Sequence, residues 1–213
     1  MSRLIIYGDV HGCYNELKKL RKKIDPKKNS IEVCVGDIIT KGEDSIKVLD
    51  YLIKHNIKSV LGNHEDRLLQ HLNHKKSNKK NPISLNKNEQ DIIDNLSSKH
   101  IKYLKKLPIY LKYKNIVILH GGILNNMNLK KLTKHNIKKI LTLKHLNKKS
   151  LFWADKYNGN QGFIVYGHQR LEKIKKGKYS LGIDTGCVNG NKLTAAIFKN
   201  PSVKTYRIKS IKA

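Results

Sequence analysis

The sequence has little acid to set against its base: 16 Asp and Glu face 44 Lys and Arg in 213 residues, a net charge of +28. It is equally poor in cysteine. Cys13, Cys34 and Cys187 make neither an even set nor a CxxC pair, which argues against a disulfide framework and a zinc–thiolate site and fits a reducing cytosol. No apolar run approaches the roughly 20 residues that span a bilayer. The apolar stretch within Met1–Tyr7 is too short for a secretory signal. No Pro/Gly/Ser-rich linker and no internal repeat divides the chain. The expectation is one cytoplasmic domain over 1–213, with variable helical or loop regions around 73–110 and 124–150.

Arginine is scarce too. It occurs only at Arg3, Arg21, Arg67, Arg170 and Arg207, so the excess charge is almost all lysine, spread along the chain. Readers of bases and phosphates favour arginine for its two-pronged contacts. The charge therefore reads as a field that draws anions inward, nonspecific nucleic-acid attraction included, more than as a built nucleic-acid interface.

Hydrophobic spacing gives the elements. Leu4–Tyr7, Ile31–Val35 and Ser59–Leu61 read as short buried strands stopped by Gly8, Gly36 and Gly62. Residues 14–24 and 43–55 carry apolar positions at helical spacing, and a helix is expected at 66–72. This alternation predicts an α/β fold with right-handed crossovers. Residues 73–90 read as a loop, 85–107 as a helix ending at Pro108, Ile116–Leu119 as a strand and 124–150 as helical. Strands are expected at 162–166, 181–184, 193–199 and 203–208.

Five of the strands run into glycine beside a metal-type side chain: Gly8-Asp9-Val10-His11-Gly12, Gly36-Asp37, Gly62-Asn63-His64-Glu65, His120-Gly121-Gly122 and Gly167-His168. Ligands of open α/β sheets sit beyond the carboxyl ends of the strands, and glycine there allows sharp turns and close approach. Such turns aim Asp9, His11, Asp37, Asn63, His120 and His168 into one crevice. Mixed nitrogen and oxygen donors suit Mn, Fe, Zn, Co or Ni over Mg or Ca. Six donors exceed the needs of one catalytic ion, whereas two divalent ions sharing a carboxylate use them. The other histidines, His55, His71, His74, His100, His135 and His145, lie in Lys/Asn-rich stretches and read as surface residues.

These blocks resemble the calcineurin-like metallophosphoesterase superfamily, whose GD-x-HG, GD, GNH[ED], H[AG]G and GH motifs appear in order between positions 8 and 168. Leu151-Phe152-Trp153-Ala154-Asp155 and the run Ile183-Asp184-Thr185-Gly186-Cys187-Val188 through Leu193-Thr194-Ala195 are similar to blocks of its ApaH-like branch, which neighbours the serine/threonine phosphoprotein phosphatases. The resemblance implies two packed mixed β-sheets flanked by α-helices. It implies Asp9 and His11 on a first metal, Asp37 as bridge, and Asn63, His120 and His168 on a second. A hydroxide between the metals would attack phosphorus in line, and His64 would protonate the leaving oxygen. Lys41, Arg67 and Arg170 are candidate phosphate contacts.

One block departs from the phosphatases. Their GD-x-x-DRG is Gly36-Asp37-Ile38-Ile39-Thr40-Lys41-Gly42 here, so Thr40 replaces the Asp that supports the acid histidine and Lys41 replaces the arginine clamp. A phosphate leaving group needs less proton donation than an alkoxide. The expected substrate is therefore a phosphoanhydride, such as a dinucleoside polyphosphate or a capped RNA end. The alternatives are a phosphoprotein phosphatase, or a basic RNA-binding protein on a silent phosphatase scaffold.

Overall fold

A computed structural model describes residues 3–75, 81–146, 151–202 and 205–213. In chain order its strands are β1 (Leu4–Tyr7), β2 (Ile31–Cys34), β3 (Lys58–Ser59), β4 (Tyr110–Tyr113), β5 (Ile116–Leu119), β6 (Phe163–Tyr166), β7 (Lys175–Lys176), β8 (Ser180–Gly182), β9 (Lys192–Phe198) and β10 (Tyr206–Lys212). Its helices are α1 (Tyr14–Ile24), α2 (Ser45–Lys54), α3 (Asn63–Lys75), α4 (Lys87–Asn95), α5 (Ser98–Leu104), α6 (Lys134–Thr142) and the single turn α7 (Trp153–Lys156).

The strands form two five-stranded mixed sheets, in the orders β10-β9-β1-β2-β3 and β4-β5-β6-β8-β7. β1, β2 and β3 run parallel, as do β5, β6 and β8, while β9 pairs antiparallel with β1 and β10, and β4 and β7 pair antiparallel at the two edges of the second sheet. Side chains alternate between faces along each strand. Leu4 and Ile6 therefore meet Ile116, Ile118, Phe163 and Val165 in a core between the sheets. Ile5 and Tyr7 face the other way, onto Leu17 and Leu20 of α1 and Leu49 and Leu52 of α2. Val117, Leu119, Ile164 and Tyr166 likewise face Ile140 and Trp153. This is the expected sandwich of two sheets flanked by helices, and no described helix is long and apolar enough to cross a membrane.

Several boundaries differ from expectation. The helix expected at 66–72 starts at Asn63 and runs to Lys75, because Glu65 reaches back to the Gly62 N–H as a capping-box residue does. The run 85–107 is two helices. Asn86 caps the first through the Glu89 N–H, Leu96 is extended, and Ser97 opens the second with its N–H donating to His100 Nδ1. Within 124–150 only Lys134–Thr142 is helical among the described residues, capped by Thr133. Residues 76–80, 147–150 and 203–204, parts of the expected loop, helix and last strand, lie outside the described residues. The short strands β4 and β7 and the turn α7 carry too little apolar periodicity to have been expected.

Candidate metal centre

The strand ends converge where the sequence pattern aims them. Asp37 follows β2 and is 2% exposed. Its Oδ2 lies 3.2 Å from His120 Nε2, 3.6 Å from His11 Nε2 and 3.9 Å from His64 Nε2. Two groups of donor atoms result, His11–Asp37–His64 and Asp37–His120–His168, each with all atoms within 4.8 Å of one another and with Asp37 in common. Asn63 joins the second through its Oδ1, 3.0 Å from His120 Nε2. Asp9 lies at the back, where its carboxylate accepts the His168 N–H at 3.0 Å. All six residues expected to hold metal are thus neighbours.

The donor set fits cations. His11 Nδ1 is 3.1 Å from the Ile39 carbonyl oxygen and His120 Nδ1 is 2.9 Å from that of Val35. Each ring donates Nδ1–H to the backbone and turns its Nε2 lone pair inward, the second-sphere arrangement typical of metal-bound histidine. At His120 that lone pair meets two oxygen acceptors, Asn63 Oδ1 and Asp37 Oδ2. Three acceptors facing one another are stable only with positive charge among them. In the metal-free protein that charge is a proton: burial works against it, but the Asp37 carboxylate outweighs burial and raises the His120 pKa to about 10. Burial similarly pushes Asp9 well above the usual carboxylate range, with the charges of Asp184 and Asp37 adding to it. Burial lowers His11 to about 4 and His168 to about 3, leaving both neutral and ready to ligate.

The backbone is bent to make this possible. Of eight non-glycine residues with positive φ among the described residues, five are His11, Asp37, Thr40, Lys41 and His168. Such conformations are costly and persist only where the surroundings impose them. Glu65, fully buried, imposes the Asp37 loop. Its Oε2 accepts the N–H groups of Asp37 and Gly62, and its Oε1 those of Ile38 and Ile39, at 2.9–3.2 Å. Gly167 must be glycine, since a Cβ there would strike Asp9 Oδ1. Gly122 lies against the Trp153 indole, which wedges under the turn that carries His120.

The remaining expected residues are more dispersed. His64 Nδ1 is 2.6 Å from Thr40 Oγ1, so a hydroxyl stands where the phosphatases have a carboxylate. Lys41 Nζ reaches into the centre, 2.9 Å from His11 Nε2. The Arg67 guanidinium is engaged by Glu89 Oε1 and the Ser84 carbonyl oxygen at 2.9 and 2.5 Å. Arg170 is exposed, its stem lying over Gly186.

Sequence reading gave no role to Glu65 or Asp184. The spacing of Glu65 three residues after Gly62 signals a helix cap, but not its hold on the Asp37 loop. Asp184 is 6% exposed just past β8, and its Oδ1 accepts the Gly186 N–H. It follows a strand as the expected metal-binding residues do, but without an adjoining glycine. His100, expected at the surface, is buried, with its Nε2 2.9 Å from Asp50 Oδ1. It remains a structural histidine.

The chain is 33% identical to an asymmetrical bis(5'-nucleosyl)-tetraphosphatase of Oceanobacillus iheyensis, over 92% of this chain and 88% of the relative. It is 34% identical to a symmetrical bis(5'-nucleosyl)-tetraphosphatase of Wigglesworthia glossinidia brevipalpis, over 87% of this chain and 68% of the relative. A crystal structure of a candidate diadenosine tetraphosphatase superposes with a TM-score of 0.83 at 24% identity, over 99% of this chain and 93% of that one. The model of the calcineurin-like phosphoesterase family matches residues 2–206. The chain therefore belongs to the calcineurin-like phosphoesterase family, in its ApaH-like branch, and is a metal-dependent hydrolase with two metal-ligand groups.

Proposed function

We propose that the protein hydrolyses a phosphoanhydride bond of a nucleoside polyphosphate, a dinucleoside tetraphosphate foremost, with two manganese ions as cofactors. The observation that carries this reading is the pair of ligand groups hinged on Asp37, with His64 supported by Thr40 instead of a carboxylate. The names of the two relatives point to the same substrate class.

Asp9, His11 and Asp37 would hold one ion, and Asp37, Asn63, His120 and His168 the other. When bound, the ions supply Lewis acidity toward phosphoryl oxygens and activate water. The protein does the rest. The Ile39 and Val35 carbonyls fix the His11 and His120 rings, and Glu65 holds the Asp37 loop rigid. Lys41 supplies a compact positive charge for a phosphoryl oxygen. His64, whose pKa burial holds below the usual value, would take up a proton released by the attacking water and pass it to the departing phosphate. Arg170, exposed beside Gly186, would meet only a phosphate that extends to that loop, whereas Arg67 fastens α4 to α3 through Glu89.

The test is a side-by-side assay with manganese of diadenosine tetraphosphate, a capped RNA end and a phosphoserine peptide. The anhydrides should turn over fastest. Faster turnover of the peptide removes the substrate assignment.

A further inference from the structure

A cleft of about 390 Å³ opens between α3 and α6 beside the metal-ligand groups. Ligand sites commonly occupy about 300–1,000 Å³. Its inner end is tied to the centre twice: by Asn63, whose amide oxygen faces His120, and by Thr142, whose main chain holds the His168 ring. From there α3 departs toward Gln70 while α6 arrives from Lys134. At 1.5 Å per residue the cleft runs roughly 10–12 Å outward.

Its two walls differ in chemistry. Asp66 and Gln70, one helical turn apart, form one wall, with Gln70 Nε2 donating to Asp66 Oδ2 at 2.6 Å. Ile137 and Leu141, also one turn apart, form an aliphatic wall opposite, and exposed Lys134 and Lys138 stand at the rim. A carboxylate repels phosphate, so the Asp66 wall is unsuited to the polyphosphate itself. It suits a group rich in donors, such as the hydroxyls of a ribose or the amino group of a base. The aliphatic wall suits the face of a flat ring, and the lysines suit phosphate at the mouth.

We propose that this cleft seats one nucleoside of the substrate, its base against Ile137 and Leu141 and its hydroxyl or amino donors on Asp66. The inference rests on the nucleoside polyphosphate substrate proposed above and deepens it. It makes one end of the substrate a recognised nucleoside instead of a bare polyphosphate chain.

The experiment measures binding, not turnover. The manganese-loaded protein is titrated by calorimetry with α,β-methylene-ADP and with methylenediphosphonate, its nucleoside-free parent. The nucleoside compound should bind about tenfold more tightly, roughly the value of one well-placed apolar and polar contact set. Ile137→Glu and Asp66→Ala should each shrink that advantage to about twofold or less while leaving methylenediphosphonate affinity unchanged, which also shows that the variants fold and load metal. Equal affinities in the unaltered protein, or an advantage that survives both substitutions, overturns the proposal. A protein that prefers the nucleoside compound yet fails to cleave diadenosine tetraphosphate keeps the cleft and loses the anhydride assignment. One that cleaves it without the preference keeps the assignment and loses the cleft.

Discussion

The Thr40 hydroxyl sits 2.6 Å from His64 Nδ1, while the other ring nitrogen of His64 points toward Asp37 Oδ2 at 3.9 Å. A hydroxyl orients the ring but adds no negative charge to it, so His64 is a weaker proton donor partner than a carboxylate-backed histidine. Thr40 also holds φ at 70°, which an aspartate tolerates better than a β-branched residue. Thr40→Asp should therefore fold, and should raise hydrolysis of phosphomonoesters over anhydrides by about tenfold, within the range of general acid effects. An equal effect on both substrates, measured as kcat/KM, contradicts the leaving-group argument.

His64→Asn separates proton relay from metal binding. Metal content should stay at two ions, while kcat falls about 10²–10⁴-fold for substrates with poor leaving groups and less for anhydrides. Loss of metal from the variant would make His64 a ligand, as its place in the His11–Asp37–His64 group allows.

Glu65→Gln tests the clamp. Whichever oxygen becomes an amide, two backbone N–H groups lose their acceptor, because each oxygen takes two. At about 1–3 kcal/mol for each buried group left unpaired, unfolding stability should fall by roughly 2–6 kcal/mol in urea titration. A change below about 1 kcal/mol shows that the loop holds itself.

Metal binding should expel protons. In the metal-free protein His120 is raised to about 10 by Asp37, so at pH 8 it is protonated, and its Nε2 becomes a ligand only after that proton leaves. Apparent metal affinity should rise with pH by up to about tenfold per unit below that value. Calorimetry in buffers of different ionisation enthalpy counts the protons; zero released contradicts the arrangement of acceptors around His120.

Two glycines make a matched pair. A methyl at Gly167 meets the Asp9 carboxylate, whereas one at Gly190 meets nothing within 4 Å and feels only the φ of +80°. Gly167→Ala should lose more than about a hundredfold in activity with its fold intact by circular dichroism. Gly190→Ala should lose about 1–2 kcal/mol of stability and keep its activity.

Much of this centre was legible because its grammar is local: a short apolar strand, then a glycine beside a donor side chain. That pattern marks Asp9, Asp37, Asn63, His120 and His168 without any knowledge of which strands are neighbours. What stayed hidden depends on contacts across the chain. Glu65 acts on residues 26–28 positions earlier, and Thr40 meets His64 only because two loops pack together. Arg67 looked like a phosphate contact because its neighbour Glu89 lies 22 residues away in sequence. The break between α4 and α5 was written in Ser97 and Ser98, but apolar spacing runs through it and outweighs two small polar residues in a periodicity count.

The place of β1 in its sheet carries a consequence for synthesis. β1 lies between β2 and β9, so the strand that leads into Asp9 has an unpaired edge until residues 192–198 arrive beside it. A chain growing from its amino end can pair β1 with β2 early, yet about 160 residues that follow β2, up to β9, must leave the ribosome before that edge is closed. Until then the exposed strand edge is open to wrong partners, and hydrolytic competence waits for β9 to emerge and pair with the strand that leads into Asp9.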